Sequence, residues 1–177
     1  MREIISIFLR YLIVLLMGVS NLFIFYQIFS FPTLYASYYL ISLKEPAQII
    51  ENTIVLNEKL IDIKNSCVSG SAYYLLFILS MSFSIPFLKR IKLISFLFFS
   101  FFLLNVFRIF FMAIIINENF FEDIHLFLWK FFSTLFVILL WFSAVYLFKI
   151  KEVPFYSDFK KIRKVLIKNE NRNRKKE

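Results

Sequence analysis

The sequence predicts an all-α integral membrane protein, a bundle of about four transmembrane helices with a small extracytoplasmic β-hairpin. Its 177 residues are 60% hydrophobic and include 26 Phe, which is more apolar side chain than a soluble domain of this size covers with a polar surface. Four apolar stretches each approach the roughly 20 residues that cross a bilayer as a helix. Basic residues are concentrated in segments that flank these stretches. Together these observations indicate one compact membrane domain.

The four apolar stretches are the predicted spans. They comprise residues 7–29, 71–88, 93–116 and 126–148. Residues 31–43, with the sequence FPTLYASYYLISL, are too short to cross a bilayer alone, and Pro32 separates them from the first span. Because their Tyr content suits the level of the lipid headgroups, we expect either an interfacial or a re-entrant segment there.

The distribution of Lys and Arg predicts the orientation, because cytoplasmic segments of membrane proteins carry an excess of basic residues. Arg2 precedes the first span and Arg10 lies near its start, the sequence KRIK (89–92) joins the second span to the third, and residues 149–177 carry eleven Lys or Arg against four acids. We therefore expect a multi-pass protein of the cell membrane with both termini in the cytoplasm. The connections 44–70 and 117–124 then lie on the extracytoplasmic side.

The first of these outer connections contains the predicted hairpin. In residues 49–64, IIENTIVLNEKLIDIK, two runs rich in β-branched side chains flank Asn57, Glu58 and Lys59. This pattern is typical of a β-hairpin. The hairpin leads directly into the stretch that holds the single cysteine of the chain.

The chain is predicted to divide into a membrane domain, residues 1–148, and a basic cytoplasmic tail, residues 149–177. The N-terminus has no small-residue cleavage site and is expected to be a retained signal anchor. The tail is expected to contact anionic lipids, which attract Lys and Arg by up to about 1 kcal/mol per residue near the surface. A solvated tail that serves only as a topology signal is an equally good interpretation.

The composition excludes several kinds of chemistry. The chain has one Cys, one His and two Gly. One Cys excludes an intramolecular disulfide and a thiolate zinc cluster, and one His excludes a multi-histidine metal site. Two isolated glycines exclude a phosphate-binding Gly loop. We therefore expect no metal and no cofactor, and no nucleic-acid partner.

Three polar residues from three predicted spans are the candidates for function. Cys67 opens the second span, in KNSCVSGSAYY, and His125 opens the fourth. A lone Cys or a lone His at such a position is usually a filler or an interfacial cap. Arg108 lies inside the third span, in LLNVFRIFF, where an arginine costs several kcal/mol and normally faces a polar cavity. The alternative is a structural role, in which Arg108 pairs with Asn105, one turn earlier on the same face of the helix.

The three side chains together have the functional groups for acyl transfer through a thioester. The predicted topology brings all three toward the outer face. A thiolate is a nucleophile that a neighbouring cation favours, an imidazole carries a proton to a leaving group, and a guanidinium stabilises an oxyanion. Asp123 is a candidate to orient His125, although two residues apart on a helix is poor geometry.

Three motifs resemble the exosortase/archaeosortase family, and its archaeal branch most. They are SCVSGS (66–71), NVFRI (105–109) and DIHLFLW (123–129), and the resemblance covers about residues 64–148. The sequence departs from many members at Val68, where they carry Ser or Thr after the cysteine.

The resemblance implies a transmembrane cysteine peptidase or transpeptidase whose catalytic set is Cys67, Arg108 and His125. Its substrates would be membrane-tethered surface proteins with a C-terminal sorting signal, which is a short motif followed by a membrane helix and a basic cluster. The cleaved protein would pass to a lipid or cell-surface acceptor, or to water. The alternative is a non-catalytic membrane scaffold or transporter subunit, in which Arg108 has a structural or ion-path role.

Overall fold

The computed structural model describes residues 2–19, 22–56, 59–116, 120–128, 131, 133–152 and 156–173. These residues are mostly helical, with one small sheet, as the sequence predicts. The helices are α1 (Arg2–Val19), α2 (Phe23–Ser42), α3 (Asn65–Val68), α4 (Gly70–Met81), α5 (Phe87–Ile114), α6 (Phe121–Phe127), α7 (Ser133–Leu147) and α8 (Tyr156–Asn173). The strands are β1 (Ala47–Ile50), β2 (Thr53–Leu56) and β3 (Lys59–Asp62).

The described residues contain one helix that is long and apolar enough to cross a bilayer alone. This helix is α5, whose 28 residues extend about 42 Å at 1.5 Å per residue. Residues 4–19 of α1 and the whole of α2 meet the same test as a pair, although the two helices lie 69° apart. Helix α7 is apolar but has only 15 residues. Length and composition alone therefore support one or two spans, and the four-span bundle remains a proposal.

The boundary between the first two helices differs from the prediction. The break precedes Phe23, where Leu22 has a left-handed backbone with φ of 60°, and residues 20–21 lie outside the described part. Helix α2 then continues through Pro32 to Ser42, so residues 31–43 are not a separate segment. An internal proline costs about 3 kcal/mol or more in helix stability. Here Phe25, Leu34 and Ile41 bury one face of α2, and that packing outweighs the local preference.

The predicted second span, residues 71–88, is longer than the helix that the structure has there. Helix α4 has 12 residues and ends at Met81, and Pro86, which disfavours a helical residue before it, separates α4 from α5. Helix α5 begins at Phe87, directly after that proline, so the predicted start of the third span at 93 was too late. The fourth predicted span contains the end of α6 and the whole of α7; Leu128 and Phe131 between them are π-helical, and residues 129, 130 and 132 lie outside the described part.

The sheet has three antiparallel strands in the order β1-β2-β3. The predicted hairpin is confirmed for β2 and β3, which pair from Thr53 with Asp62 to Leu56 with Lys59; residues 57–58 of its turn lie outside the described part. The first predicted run is itself a hairpin. It turns at Glu51, whose φ of 55° is the left-handed conformation that two-residue hairpin turns require.

Two hydrophobic clusters hold the elements together. The first lies among the helices and includes Phe25, Tyr73, Leu97 and Phe101. The second lies between the sheet and the C-terminal part of α5 and joins α2, β2, α3 and α5; its buried members are Leu34, Ile41, Ile54, Leu56, Ile63, Val68, Ile109 and Ala113. This second cluster fixes the segment around Cys67 against α5.

A cluster of polar side chains lies near the N-terminal end of α5. Arg10 and Arg90 both donate hydrogen bonds to the backbone carbonyl of Phe83, in the segment between α4 and α5. Arg10 also forms an ion pair with Asp158 of α8, which is 3% exposed. The described part of the basic tail is thus a helix that packs on the rest of the molecule. Arg90 and Arg108 are 18 residues apart, or about 27 Å along the helix.

Candidate functional site

Cys67 lies in α3, a single helical turn between the sheet and α4. The turn ends at Ser69, whose φ of 58° is left-handed, and α4 begins at the next residue. Gly70 is required there because a Cβ would lie 2.6 Å from the ring of Tyr26. The thiol is half-buried, and its Sγ lies 3.9 Å from the backbone oxygen of Asp62, the last residue of β3. The thiol therefore lies at the end of the sheet that the two hairpins form.

Arg108 joins three elements through its guanidinium. One Nη donates to the backbone carbonyl oxygen of Cys67 at 3.2 Å and to the hydroxyl of Ser69 at 3.3 Å. The other Nη donates to the hydroxyl of Ser133, at the start of α7, at 2.6 Å. The predicted deep arginine thus holds α3, α4 and α7 against α5. Sequence reasoning missed Ser133, whose only signal is a hydroxyl at the start of an apolar run.

Asn105 binds the same segment from one turn earlier on α5. Its Nδ2 donates to the carbonyl oxygen of Cys67 at 2.8 Å, and its Oδ1 accepts from the hydroxyl of Ser69 at 3.4 Å. The side chain is 2% exposed. Asn105 and Arg108 therefore meet at the main chain of Cys67. Ser69 is both the turn residue between α3 and α4 and a hydrogen-bond partner of these two side chains.

Cys67, Arg108 and His125 line one cavity of about 250 Å³. Residues of strand β3 and of the last turns of α5 contribute to its lining. The His125 side chain is exposed and stacks on Phe121, with 5.7 Å between ring centroids. The structure therefore brings the three sequence-predicted residues to one concave site, each from a different helix.

The other candidate, Asp123, is not part of this cavity. It is exposed on α6, and the residues that line the cavity do not include it. Its role in orienting His125 stays a prediction.

The cavity combines a few polar groups with apolar walls. Beside the three candidate side chains, Asp62 and Ser66 contribute polar atoms, and Ile109, Met112 and Leu128 are among the apolar lining residues. Across the described ranges, no three His, Cys, Asp or Glu side chains lie close enough to hold a metal ion. A thiol, a guanidinium and an imidazole around an apolar space are suited to a ligand that carries a carbonyl or another oxygen acceptor.

Comparisons of the chain with protein-family models, curated proteins and solved structures found no match. The resemblance to the exosortase/archaeosortase family therefore rests on its three motifs, and the function must be inferred from the chemistry of the site.

Proposed function

We propose that the protein is a membrane-embedded cysteine protease-transpeptidase. Its substrates are surface proteins with a C-terminal sorting signal, which it cleaves and transfers to a lipid or cell-surface acceptor. The observation that carries this proposal is the cavity that Cys67, Arg108 and His125 share. These three residues are 41 and 17 positions apart in the chain, so their convergence supports a common role better than three separate structural roles.

The reaction proceeds through a thioester. The Cys67 thiolate attacks the scissile carbonyl carbon, and the carbonyl oxygen becomes an oxyanion that the Arg108 guanidinium stabilises. The C–N bond then breaks, and protonated His125 gives its proton to the leaving amine. An acceptor amine, or water, next attacks the thioester carbonyl and releases the thiolate. Neutral His125 takes the proton that the acceptor loses.

The contacts of Arg108 support its assignment to the oxyanion. A useful oxyanion donor is held in place before the charge develops, and hydrogen bonds to Cys67, Ser69 and Ser133 hold this guanidinium. An arginine has five N–H donors. Within the described part of the chain these three contacts engage three of them, so two remain for a substrate.

The surface supports a location in a bilayer. Large apolar side chains are exposed on several helices; they include Phe8, Val19, Phe99, Phe107, Phe142 and Tyr146, each at least 58% exposed. The 27 Å between Arg90 and Arg108 along α5 is close to the roughly 30 Å of a hydrocarbon core. We propose four crossings, formed by α1 with α2, by α3 with α4, by α5, and by α6 with α7. The cavity then opens on the extracytoplasmic side, with both termini in the cytoplasm.

The decisive experiment follows processing of a surface protein that ends in a short motif, a membrane helix and a basic cluster. Cys67→Ala and His125→Ala should both accumulate the uncleaved form at normal enzyme levels. Leu126→Ala, an exposed neighbour of His125 on the same helix, is the control and should process normally. Near-normal processing by Cys67→Ala would exclude the protease.

One observation favours the second candidate, a non-catalytic scaffold or transporter subunit. The hydrogen bonds of Arg108 to Cys67, Ser69 and Ser133 join distant segments of the chain, which is also what a purely structural arginine does. The two candidates differ in the thiol. A proposed nucleophile in an extracytoplasmic cavity should react with a membrane-impermeant alkylating reagent in intact cells faster than an ordinary exposed thiol, whereas a filler cysteine should not.

A further inference from the structure

Strand β3 is an edge strand whose outer side is open among the described residues. Only β2 pairs with it. The N–H of Ile63, which follows β3, donates to the carbonyl of Asn52 at 3.0 Å, so the backbone groups of Ile63 point toward β2. Because these directions alternate along an antiparallel strand, the N–H and C=O of Ile61 also point toward β2. Those of Leu60 and Asp62 point away from it, to the open side.

The open side of β3 faces the candidate site. Residues 60–63 all line the cavity that contains Cys67, Arg108 and His125. The strand also ends at the thiol, because Cys67 Sγ lies 3.9 Å from the carbonyl oxygen of Asp62. An extended peptide paired with Leu60 would therefore pass directly beside the sulfur.

We propose that the substrate binds by strand addition to β3, pairing with the backbone N–H and C=O of Leu60. This inference rests on the proposed function and adds how the sorting segment is recognised. An added strand gains affinity from main-chain hydrogen bonds, and pockets for alternate side chains supply specificity. The substrate class is an extended peptide segment, and the residue opposite Leu60 is not proline, because proline has no N–H to donate.

The walls of the cavity indicate which side chains the segment carries. Ile109, Met112 and Ala113 of α5 also line the cavity, so side chains of the added strand meet apolar side chains there. Small or apolar residues fit against them without the loss of hydration that a polar residue would suffer.

The dimensions of β3 argue against pairing with a second copy of the same chain. The strand has four residues, or about 13 Å. Lys59 begins it, and Lys64 follows shortly after its end. Short length and flanking lysines are the features by which proteins keep edge strands from pairing with one another. A substrate segment that also fills the cavity has contacts that a second β3 would lack.

The test measures alkylation of Cys67 by peptide reagents in the full-length protein. The probe is an acetylated alanine tetrapeptide chloromethyl ketone, from which the thiolate sulfur displaces chloride. Four analogues each carry one backbone N-methyl group, which removes one N–H. Iodoacetamide is the small reference reagent. Because Cys67 is the only cysteine, mass spectrometry assigns the adduct, and Cys67→Ala gives the background.

Strand addition predicts an alternating pattern. N-methylation at every second position should slow labelling about fivefold to tenfold, as expected for the loss of one hydrogen bond and its partner, and the intervening positions should have little effect. Leu60→Pro should lower the rate with the parent peptide by a similar factor and leave the iodoacetamide rate unchanged. Proline is tolerated where the N–H of an edge strand faces outward. Ile50→Ala, which changes an exposed apolar side chain of the other edge strand, β1, is the control and should label like the unmodified protein with both reagents.

The overturning results are equally definite. Equal rates for all four N-methyl analogues, or a Leu60→Pro protein that keeps the full peptide rate, would exclude strand addition. If Leu60→Pro also changes the iodoacetamide rate, the variant has disturbed the fold, and the N-methyl series on the unmodified protein decides. The proposed function is tested separately by processing in Cys67→Ala, so a failed alternation with Cys67-dependent processing would remove the docking mode and keep the protease.

Discussion

The guanidinium of Arg108 lies 3.2 Å from the backbone carbonyl oxygen of Cys67, so it binds the main chain of the cysteine rather than its thiol. Asn105 donates to the same oxygen from the preceding turn of α5. One buried helix face therefore fixes the short turn that carries the proposed nucleophile. This gives Arg108 two roles that mutations can separate, one in holding α3 and one in facing the cavity.

Replacing Arg108 by Lys should reduce processing about 100- to 1000-fold, the usual effect of losing an oxyanion donor. An ammonium keeps the charge but cannot reproduce the planar fork that reaches Cys67, Ser69 and Ser133 together. The matched control is Arg90→Lys on the same face of α5, which should process at a near-normal rate. Processing rates at equal membrane levels of the proteins decide this, and equal losses in both variants would contradict the assignment.

Asn105→Asp should destabilise the protein while keeping the size of the side chain. The change replaces a donor by an acceptor that faces the carbonyl oxygen of Cys67, and a buried group left without its partner costs about 1–3 kcal/mol. We expect a lower Tm in detergent and faster amide exchange in residues 65–70. Leu103→Ala on the exposed side of α5 is the control; an equal effect on exchange in residues 65–70 would show that Asn105 does not hold α3.

Gly70→Ala should lower the stability of the protein more than Gly18→Ala does. These two positions are the glycines of the chain. A Cβ at Gly70 meets three ring atoms of Tyr26 within 2.9 Å, whereas at Gly18 it meets the hydroxyl end of Tyr74. Overpacking typically costs about 1–3 kcal/mol. The second change Tyr26→Ala should lower the difference in Tm between the Gly and Ala proteins. An unchanged difference in the Tyr26→Ala background would mean that this ring is not the obstacle.

Asp158→Ala should release α8 from the molecule, because it leaves Arg10 buried without its partner. Removing one member of a buried ion pair costs about 3–5 kcal/mol. Limited proteolysis of the tail should become faster, while Glu152→Ala, an exposed acid earlier in the tail, should behave like the unmodified protein. Truncation after Lys168 keeps Asp158 and should leave processing intact; truncation after Lys151 removes it and should lower the Tm. Slow proteolysis in Asp158→Ala would show that the pair does not hold the helix.

Local sequence patterns were sufficient to predict several features of the protein. Composition indicated an apolar, mostly helical molecule, because side-chain hydropathy summed over 20 residues does not depend on tertiary contacts. Two runs rich in β-branched residues, on either side of residues 57–59, predicted the hairpin of β2 and β3. The single Cys, the single His and an Arg deep within a predicted span singled out Cys67, Arg108 and His125, since a polar group in an apolar run is expensive unless it has a partner or a function.

Other features depend on residues that are distant in the chain. Arg108 finds Ser133 and Cys67 across 25 and 41 positions, and no local pattern encodes such pairs. Helix α2 continues through Pro32 because its buried face packs against other elements, which overrides the local cost. From the sequence alone, Asp158 in a basic tail is expected to be solvated, whereas in the structure it is buried beside Arg10 of α1. In each case the deciding free energy comes from packing or from desolvation, and both exist only once the helices and the sheet have come together.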